Sequence, residues 1–294
     1  MRIIHMFQWQ LKDIINSLEI IKKQGFEAIQ ISPVQPCKEG NEWWCCYQPK
    51  AFEIGNKYGS KKELIELCTK ANELNIKIIA DVICNHVANA GGGMNRLNPH
   101  PEVAADMVSN SYFWKEKRDI SNWNDRREVI NYCMGLPGLE TSNYDLQDKI
   151  IDFLNSLIDC GVSGFRFDAA KNIALPSEGC DFWIRVLNGL KKKDLFNYAE
   201  VIFTPKNIID QYCKYINVLT DSLGSNKNKL VTFVESHDSH LNDGPTGYTK
   251  RMSDEMVVNE YRILTKNYPN TLFYCRPFND TWMSDEIRNI NTRK

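Results

Sequence analysis

The sequence lacks the features that mark several large classes of protein. Lysine and arginine total 36 against 37 aspartate and glutamate residues, so it has no basic excess of the kind that nucleic-acid-binding proteins carry. No window supplies the roughly 18 unbroken apolar residues of a membrane span. With 16 glycines and 11 prolines among 294 residues, its composition is neither collagen-like nor of low complexity. These absences leave a globular protein, and 43% apolar residues are enough for a substantial core.

The cysteines lack the spacing of a metal site. Ten of them are spread through the chain without a CxxC pair, and Cys84 and His86 have no further zinc ligands beside them. The first residues contain no apolar run long enough for a secretory signal, so we expect a cytoplasmic protein. Its cysteines are then expected to be reduced and buried as small apolar side chains. The adjacent Cys45 and Cys46 leave disulfides to distant partners open if the protein is secreted.

Short apolar runs alternate with amphipathic segments along most of the chain, which is typical of βα units around a parallel sheet. Strands are predicted at residues 3–7, 28–32, 76–83, 164–168, 196–202, 215–219, 230–234 and 271–274. The clearest helices are predicted at residues 61–74, 145–160 and 180–190. Eight strands with interleaved helices favour an α/β fold of the (β/α)8 TIM-barrel type over residues 1–294. A doubly wound open sheet is the alternative that the pattern leaves open.

The alternation breaks after the third predicted strand. Residues 87–143 contain three consecutive glycines, scattered prolines and aromatic residues without a regular period. A segment of this length is too long for an ordinary loop, so we predict an inserted excursion from the barrel, a domain B. Barrel active sites lie at the C-terminal ends of the strands, and the residues that end each strand are therefore the candidates for function.

Polar side chains are concentrated at those strand ends. Taken singly, an aspartate there is more often a helix cap or an ion-pair partner than a catalytic group. Charged groups at the ends of four predicted strands, the third, fourth, fifth and seventh, favour an active site instead. Clustered carboxylates raise one another's pKa, so one can stay protonated while another is ionised, and such a pair can cleave a glycosidic bond. The candidates are three carboxylates and three basic side chains: Asp168, Glu200, Asp238, His86, Arg166 and His237.

Four segments at these strand ends closely resemble the four signature regions of the α-amylase family of glycoside hydrolases, in the same order and with similar spacing. They are DVICNH at residues 81–86, GFRFD at 164–168, AEV at 199–201 and FVESHD at 233–238. Two further stretches, 43–49 and 157–168, are similar to animal-type α-amylases and their bacterial relatives. The resemblance runs from the first predicted strand to the eighth and implies a barrel with a short domain B. The usual all-β C-terminal domain is not expected, because the chain ends soon after Arg276.

The resemblance implies a role for each matching residue. Asp168 matches the nucleophile that forms a covalent glycosyl-enzyme intermediate, and Glu200 matches the general acid/base. Asp238 matches the third carboxylate, which stabilises the oxocarbenium-like transition state. Arg166 is expected to keep Asp168 ionised through charge-assisted hydrogen bonds. The other matches contact the substrate: His86 and His237 at the hydroxyls of the sugar being cleaved, and Lys171 on the leaving-group side.

A run of aromatic and amide residues follows the second predicted strand. Sugar rings present apolar C–H faces on which aromatic rings can stack, while an amide such as that of Gln48 can bond their hydroxyls. Loop-forming prolines surround this run, which favours substrate stacking for Trp44 and Tyr47. For Trp43, stacking on the substrate and packing in the core are equally consistent with the sequence.

The resemblance also implies a structural calcium ion between barrel and excursion, but the sequence keeps only part of the matching ligand set. Asn85 matches one ligand, whereas Gly138 stands where an acidic ligand is expected and Asn172 where a histidine commonly donates its backbone oxygen. Ser236 replaces the asparagine of chloride-dependent relatives. Because Ca²⁺ prefers about 6–8 oxygen ligands that include carboxylates, we expect weak calcium binding or none. Acidic residues of the excursion that could compensate are Asp106, Asp119, Asp125 and Glu140; packing through Trp114 and Trp123 could instead replace the ion.

These observations predict an enzyme that hydrolyses internal α-1,4-glucosidic bonds of starch, glycogen or maltodextrins with retention of configuration. No cofactor is needed for that chemistry. The expected partner is an α-glucan or maltooligosaccharide, with neither nucleic acid nor membrane. The alternatives are a related α-glucosidase or glucosyl transferase on the same fold, and a catalytically silent carbohydrate-binding protein.

Overall fold

The strands close into a barrel in which every neighbouring pair is parallel. In this computed structural model, which describes residues 1–222, 224–242 and 252–293, the strands follow one another in chain order and the last pairs with the first. They are β1 (Arg2–Met6), β2 (Ala28–Ile31), β3 (Lys77–Val82), β4 (Gly164–Phe167), β5 (Tyr198–Glu200), β6 (Asn217–Leu219), β7 (Leu230–Phe233) and β8 (Asn270–Tyr274). The barrel prediction is confirmed, and closure excludes the open sheet.

Helices connect most of the strands and cover the outside of the barrel. Within the described residues they are α1 (Leu11–Lys23), α2 (Lys61–Glu73), α3 (Ala105–Val108), α4 (Arg126–Asn131), α5 (Tyr144–Asp159), α6 (Phe182–Gly189), α7 (Lys206–Tyr212), α8 (His237–Leu241), α9 (Asp254–Asn267) and α10 (Asp285–Thr292). The three clearest predicted helices correspond to α2, α5 and α6. The apolar face predicted for α5 is buried, from Leu146 to Leu157, because its residues recur at the helical period. No described helix combines the length and apolarity that a bilayer crossing needs.

The period of two along each strand decides which side chains reach the active-site end. In β4, Phe165 and Phe167 point outward and join the apolar layer beneath the helices. Arg166, which lies between them, therefore points into the barrel, and the same alternation directs Tyr198 and Glu200 of β5 inward. Arg166 and Glu200 form part of a polar layer at the active-site end of the barrel. The rest of the interior is filled by a small apolar cluster: Ile3, Ala28, Ile79, Tyr198, Leu219, Val231 and Leu272.

The segment between β3 and α5 contains only short helices, α3 and α4, joined by irregular chain. It is attached to the barrel end by isolated bridges, in which His86 pairs with Gly138 and Trp114 pairs with Leu139. Phe113 and Leu139 are buried in the same core as the barrel helices. The ten cysteines are also buried, and each is free of a disulfide bond.

Gly164, the first residue of β4, lies where the backbone of Phe196 passes closest to it. A Cβ atom at this position would overlap the carbonyl oxygen of Phe196, which as a backbone atom cannot rotate away. We therefore expect Gly164→Ala to lower the free energy of unfolding by about 2 kcal/mol or more. Urea denaturation followed by circular dichroism measures the change. Gly92→Ala is the control, because a Cβ there meets no atom within 4 Å; equal midpoints for the two variants would contradict the prediction.

Candidate active site

The guanidinium of Arg166 lies at the centre of the polar layer and is almost fully buried. Its Nη1 donates to both carboxylate oxygens of Asp81, at 2.8 and 2.9 Å, and to Oδ1 of Asp168 at 2.6 Å. Its Nη2 donates to Oε1 of Glu200. One cation thus contacts carboxylates at the ends of β3, β4 and β5. Charge-assisted hydrogen bonds of this kind are stronger than neutral ones, and they hold the three carboxylates around one side chain.

Burial raises the pKa values of Asp168 and Glu200, and the charge of Arg166 opposes the rise at both groups. Burial raises the pKa of Asp168; both the charge and the hydrogen bond of Arg166 oppose that rise, while the charge of Asp238 adds to it. Burial also raises the pKa of Glu200; Arg166 opposes it, while the charges of Asp168 and Asp238 raise the pKa further. The pKa values of both carboxyl groups are therefore raised above their ordinary range, which favours retention of a proton within this cluster.

The residue after Asp168 has an unusual backbone conformation. Ala169 lies in the left-handed region, with φ 46° and ψ 34°, which residues other than glycine rarely adopt. Its N–H donates to Oε2 of Glu200 at 3.0 Å. Strained backbone of this kind persists where the surrounding structure requires it, often at functional sites.

Asp238 lies in the first turn of α8, a short helix that Ser236 caps through a hydrogen bond from the Ser239 N–H. The helix begins where β7 ends, which brings Asp238 to the same mouth as the other carboxylates. Burial raises the pKa of Asp238, and the charges of Arg166 and Lys171 oppose that rise.

Two buried histidines flank the carboxylates. The His237 ring lies nearly parallel to two neighbouring aromatic rings, with centroids 4.7 Å from Phe7 and 4.9 Å from Tyr47. Burial lowers the pKa of His237 to about 3 and that of His86 to about 4, so both rings are neutral at pH 7. Nε2 of His86 must donate to the Tyr47 carbonyl, 2.8 Å away, because a carbonyl oxygen can only accept. The Nδ1 atoms of both histidines have no hydrogen-bond partner within the part of the chain described.

These groups line a cavity of about 220 Å³ at the mouth of the barrel. Trp44 is 40% exposed at its rim, and Trp43 contacts His237 edge-on with centroids 5.4 Å apart. Gln48 accepts a hydrogen bond from the Asn89 N–H at 3.2 Å. The cavity brings together nine of the residues predicted from the sequence: Trp43, Trp44, Tyr47, Gln48, His86, Asp168, Glu200, His237 and Asp238. Arg166 lies behind them, and Met134 and Leu136 from the excursion complete the wall.

Lys171 lies in a second, larger cavity of about 520 Å³. Its Nζ donates to the Ile202 carbonyl at 3.3 Å and lies over two aromatic rings, 5.0 Å from that of Trp123 and 5.7 Å from that of Phe203. Both rings are half-exposed or more, so Trp123 forms a cavity wall and does not pack the excursion onto the barrel as expected. Trp114 does pack against the core.

Comparison with known proteins agrees with this geometry. The family model of the α-amylase catalytic domain matches residues 9–244, most of the chain. The chain belongs to the α-amylase family. The α-amylase of Clostridium acetobutylicum is 32% identical over 274 residues, which cover 81% of this chain and 35% of that protein. The α-amylase of Butyrivibrio fibrisolvens is 27% identical over 346 residues, covering 95% of this chain and 35% of that protein.

The chain thus spans about a third of the length of these α-amylase relatives. Among solved structures, the α-amylase of Geobacillus thermoleovorans in complex with acarbose resembles it with a TM-score of 0.77 at 18% identity. The matched region covers 99% of this chain and 77% of that one. At that level of identity the likeness shows the barrel fold.

Asp81 is a site residue of this α-amylase family member for which the sequence predicted no role. It is fully buried at the end of β3. Besides its two contacts with Arg166 it accepts a hydrogen bond from the Tyr47 hydroxyl at 2.9 Å. Its position in the same segment as His86 could have indicated a role in the site. Its partners could not be predicted, because they lie on β4 and on the 3-10 turn Trp43–Tyr47. Asp81 orients both Arg166 and Tyr47.

The expected calcium position holds a lysine ammonium. The Oδ1 of Asn85 accepts a hydrogen bond from Nζ of Lys115 at 3.2 Å, and the same Nζ donates to the Asn172 carbonyl at 2.9 Å. Burial lowers the pKa of Lys115 to about 8, which leaves it mostly protonated at pH 7.

The acidic residues of the excursion do not supply a calcium site either. Asp106 pairs with Lys149, Asp119 with Arg96, and Asp125 caps α4. Glu140 accepts from the hydroxyl of Ser142 at 2.6 Å. Across residues 1–222, 224–242 and 252–293, no three His, Cys, Asp or Glu side chains are grouped so as to hold a metal ion. The donor set at Asn85 therefore does not fit calcium.

Asp238 should destabilise the folded protein at neutral pH. Its folded pKa is raised by burial above the unfolded value of about 4, so a penalty develops as the pH rises through the folded pKa and is absent below about 4. We expect Asp238→Asn to raise the thermal midpoint at pH 7 by about 3 °C and to leave it unchanged at pH 3.5. Differential scanning calorimetry at both pH values measures this. Asp148→Asn, at an exposed site on α5, is the control; a lower midpoint for Asp238→Asn at pH 7 would contradict the linkage.

Proposed function

We propose that this protein hydrolyses internal α-1,4-glucosidic bonds of starch, glycogen or maltodextrins with retention of configuration. The observation that carries the proposal is the shared contact of Asp168 and Glu200 with one guanidinium, that of Arg166, at the wall of a single cavity. A retaining mechanism needs its two carboxyl groups about 5–5.5 Å apart, closer than the pair of an inverting enzyme. Two carboxylates held by adjacent nitrogens of one side chain support the closer arrangement.

Asp168 acts as the nucleophile in this mechanism. Its Oδ1 is held by Arg166, and the charge of Arg166 favours the ionised carboxylate. A carboxylate oxygen attacks the anomeric carbon of the sugar as the bond to the leaving oxygen breaks. The product of this step is a covalent glycosyl-enzyme on Asp168.

Glu200 supplies and then removes a proton. Burial and the neighbouring carboxylates raise its pKa, which favours the protonated acid before the reaction. The acid gives its proton to the leaving oxygen in the first step. In the second, the Glu200 carboxylate takes a proton from water while the water oxygen attacks the anomeric carbon and Asp168 is released.

The neutral histidines and Asp238 hold the sugar that reacts. Both histidines line the cavity, and the hydroxyl groups of a sugar are suitable partners for neutral imidazole nitrogens. Asp238 faces the same cavity and can accept from two hydroxyls. The carboxylate also places negative charge near the anomeric carbon, where positive charge develops in the transition state.

Cleavage at internal bonds is supported by the second cavity. Lys171 bonds the carbonyl of Ile202, two residues after Glu200, so this cavity adjoins the proton donor. Trp123 and Phe203 give it aromatic walls suited to sugar faces, as Trp43, Trp44 and Tyr47 do in the first cavity. Sugar units on both sides of the reacting bond can therefore be bound.

Exchange of either carboxylate for its amide should abolish turnover. We expect Asp168→Asn and Glu200→Gln each to lower the rate on maltoheptaose by at least about a thousandfold, because one removes the nucleophile and the other the proton donor. Chromatography of the products measures the rate, and circular dichroism checks the fold. Asp148→Asn is the control and should keep wild-type activity. Near-normal turnover by either site variant would overturn the assignment.

The same product analysis separates the alternatives. Hydrolysis yields only sugars shorter than maltoheptaose, whereas a transferase also yields longer ones. A silent carbohydrate-binding protein gives no product with the wild-type chain.

Retention predicts the configuration of the first product. Two successive displacements at the anomeric carbon restore its original geometry, so the new reducing end is released as the α-anomer. Proton NMR during the first minutes of hydrolysis, before mutarotation, should show the α-anomer dominant. Early spectra dominated by the β-anomer would refute the nucleophilic role of Asp168.

A further inference from the structure

A buried lysine contributes to the junction between the excursion and the barrel. Lys115 comes from the irregular chain between α3 and α4, and only 5% of it is exposed. Its ammonium lies between Oδ1 of Asn85, just beyond β3, and the carbonyl of Asn172, in the 3-10 turn beyond β4. Three separate parts of the chain therefore meet at a single positive charge.

The surrounding chain leaves space for this lysine. The Lys115 N–H donates to the Gly138 carbonyl at 3.0 Å, which fixes where its side chain begins. A Cβ atom on Gly138 would lie 3.0 Å from Cδ of Lys115 and 3.3 Å from Sγ of Cys133. A side chain at position 138, acidic or otherwise, would compete for the volume that the lysine fills. The glycine at position 138 therefore leaves the space that the Lys115 side chain occupies, and a carboxylate there would crowd it.

The ammonium and a divalent cation exclude each other at this junction. Each needs the Asn85 and Asn172 oxygens, and the ammonium already lies 3.2 and 2.9 Å from them. A calcium ion takes its oxygens at about 2.3–2.6 Å, which would place two cations in close contact with no carboxylate bound to either. Without either cation, both oxygens would be buried without a donor in this place.

We propose that the Lys115 ammonium is the permanent structural cation of this junction and that the protein holds its excursion to the barrel without calcium. The proposal concerns the fold of the junction and is independent of the reaction at Asp168 and Glu200.

The first test uses the wild-type chain. Thermal unfolding is followed in 5 mM EDTA and in 5 mM CaCl₂ at the same ionic strength, and the two midpoints should agree within about 1 °C. A midpoint several degrees higher in CaCl₂ overturns the proposal, because it shows that calcium binds the native state.

The second test removes the charge and keeps most of the side-chain length. Lys115→Met leaves the Asn85 and Asn172 oxygens without their donor, and we expect its midpoint to fall by about 5 °C or more. Lys117→Met is the matched control, since Lys117 lies two residues away, is exposed and donates to Oδ1 of Asn98 at 2.8 Å. A midpoint for Lys115→Met equal to that of Lys117→Met overturns the proposal.

Hydrogen exchange localises the effect. The amides of Val87 and Leu139 cross the junction, bonding the Pro137 and Asn85 carbonyls. They should exchange at least about tenfold faster in Lys115→Met, while the Asp168 amide, bonded to Val82 in the barrel, keeps its wild-type rate. Equal acceleration at all three overturns a local role. If Lys115→Met does not fold, Lys115→Gln is measured in the same way, and the wild-type metal test still decides.

Discussion

The active-site end of this protein depends on one buried guanidinium. Four carboxylates, of Asp81, Asp168, Glu200 and Asp238, lie within or beside the barrel mouth, and burial raises the pKa of each. Without Arg166, these buried carboxylates would have no compensating positive charge. Removing one partner of a buried ion pair typically lowers the free energy of unfolding by about 3–5 kcal/mol. Barrel register provides the compensation: Asp81 pairs across the strands with Arg166, and Arg166 with Tyr198. The pairing of β3, β4 and β5 in this register therefore brings the charge cluster together.

Much of this arrangement could be predicted from the sequence, because it follows from periodicity. Continuous apolar runs mark buried parallel strands, and their ends mark the barrel mouth. Because side chains alternate along a strand, apolar neighbours that face the outer helices indicate that Arg166 and Glu200 face the inside of the barrel. The contacts among these side chains could not be predicted in the same way. Asp81 accepts a hydrogen bond from Tyr47, which lies on the 3-10 turn Trp43–Tyr47. No local sequence pattern predicts this contact between distant parts of the chain.

The excursion is where sequence reasoning failed most, again for a physical reason. It contains few regular helices and no strand of the barrel, so no regular spacing of apolar side chains distinguishes buried from exposed positions. Trp123 was expected in a packed interface and lies half-exposed in a cavity wall. Lys115 was not singled out at all, because lysines are almost always exposed and nothing near it in the chain signals burial.

The position of the lysine bridge has a consequence for the shape of the binding cleft. Asn85 is followed directly by His86, which lines the first cavity, and Asn172 directly follows Lys171, which lines the second. A single ammonium bonded to both asparagines therefore links the walls of the two cavities. Arg126, from the same excursion, bonds the Lys171 carbonyl and strengthens that link. A ligand that spans the two cavities would then lose its own freedom without also having to order this junction.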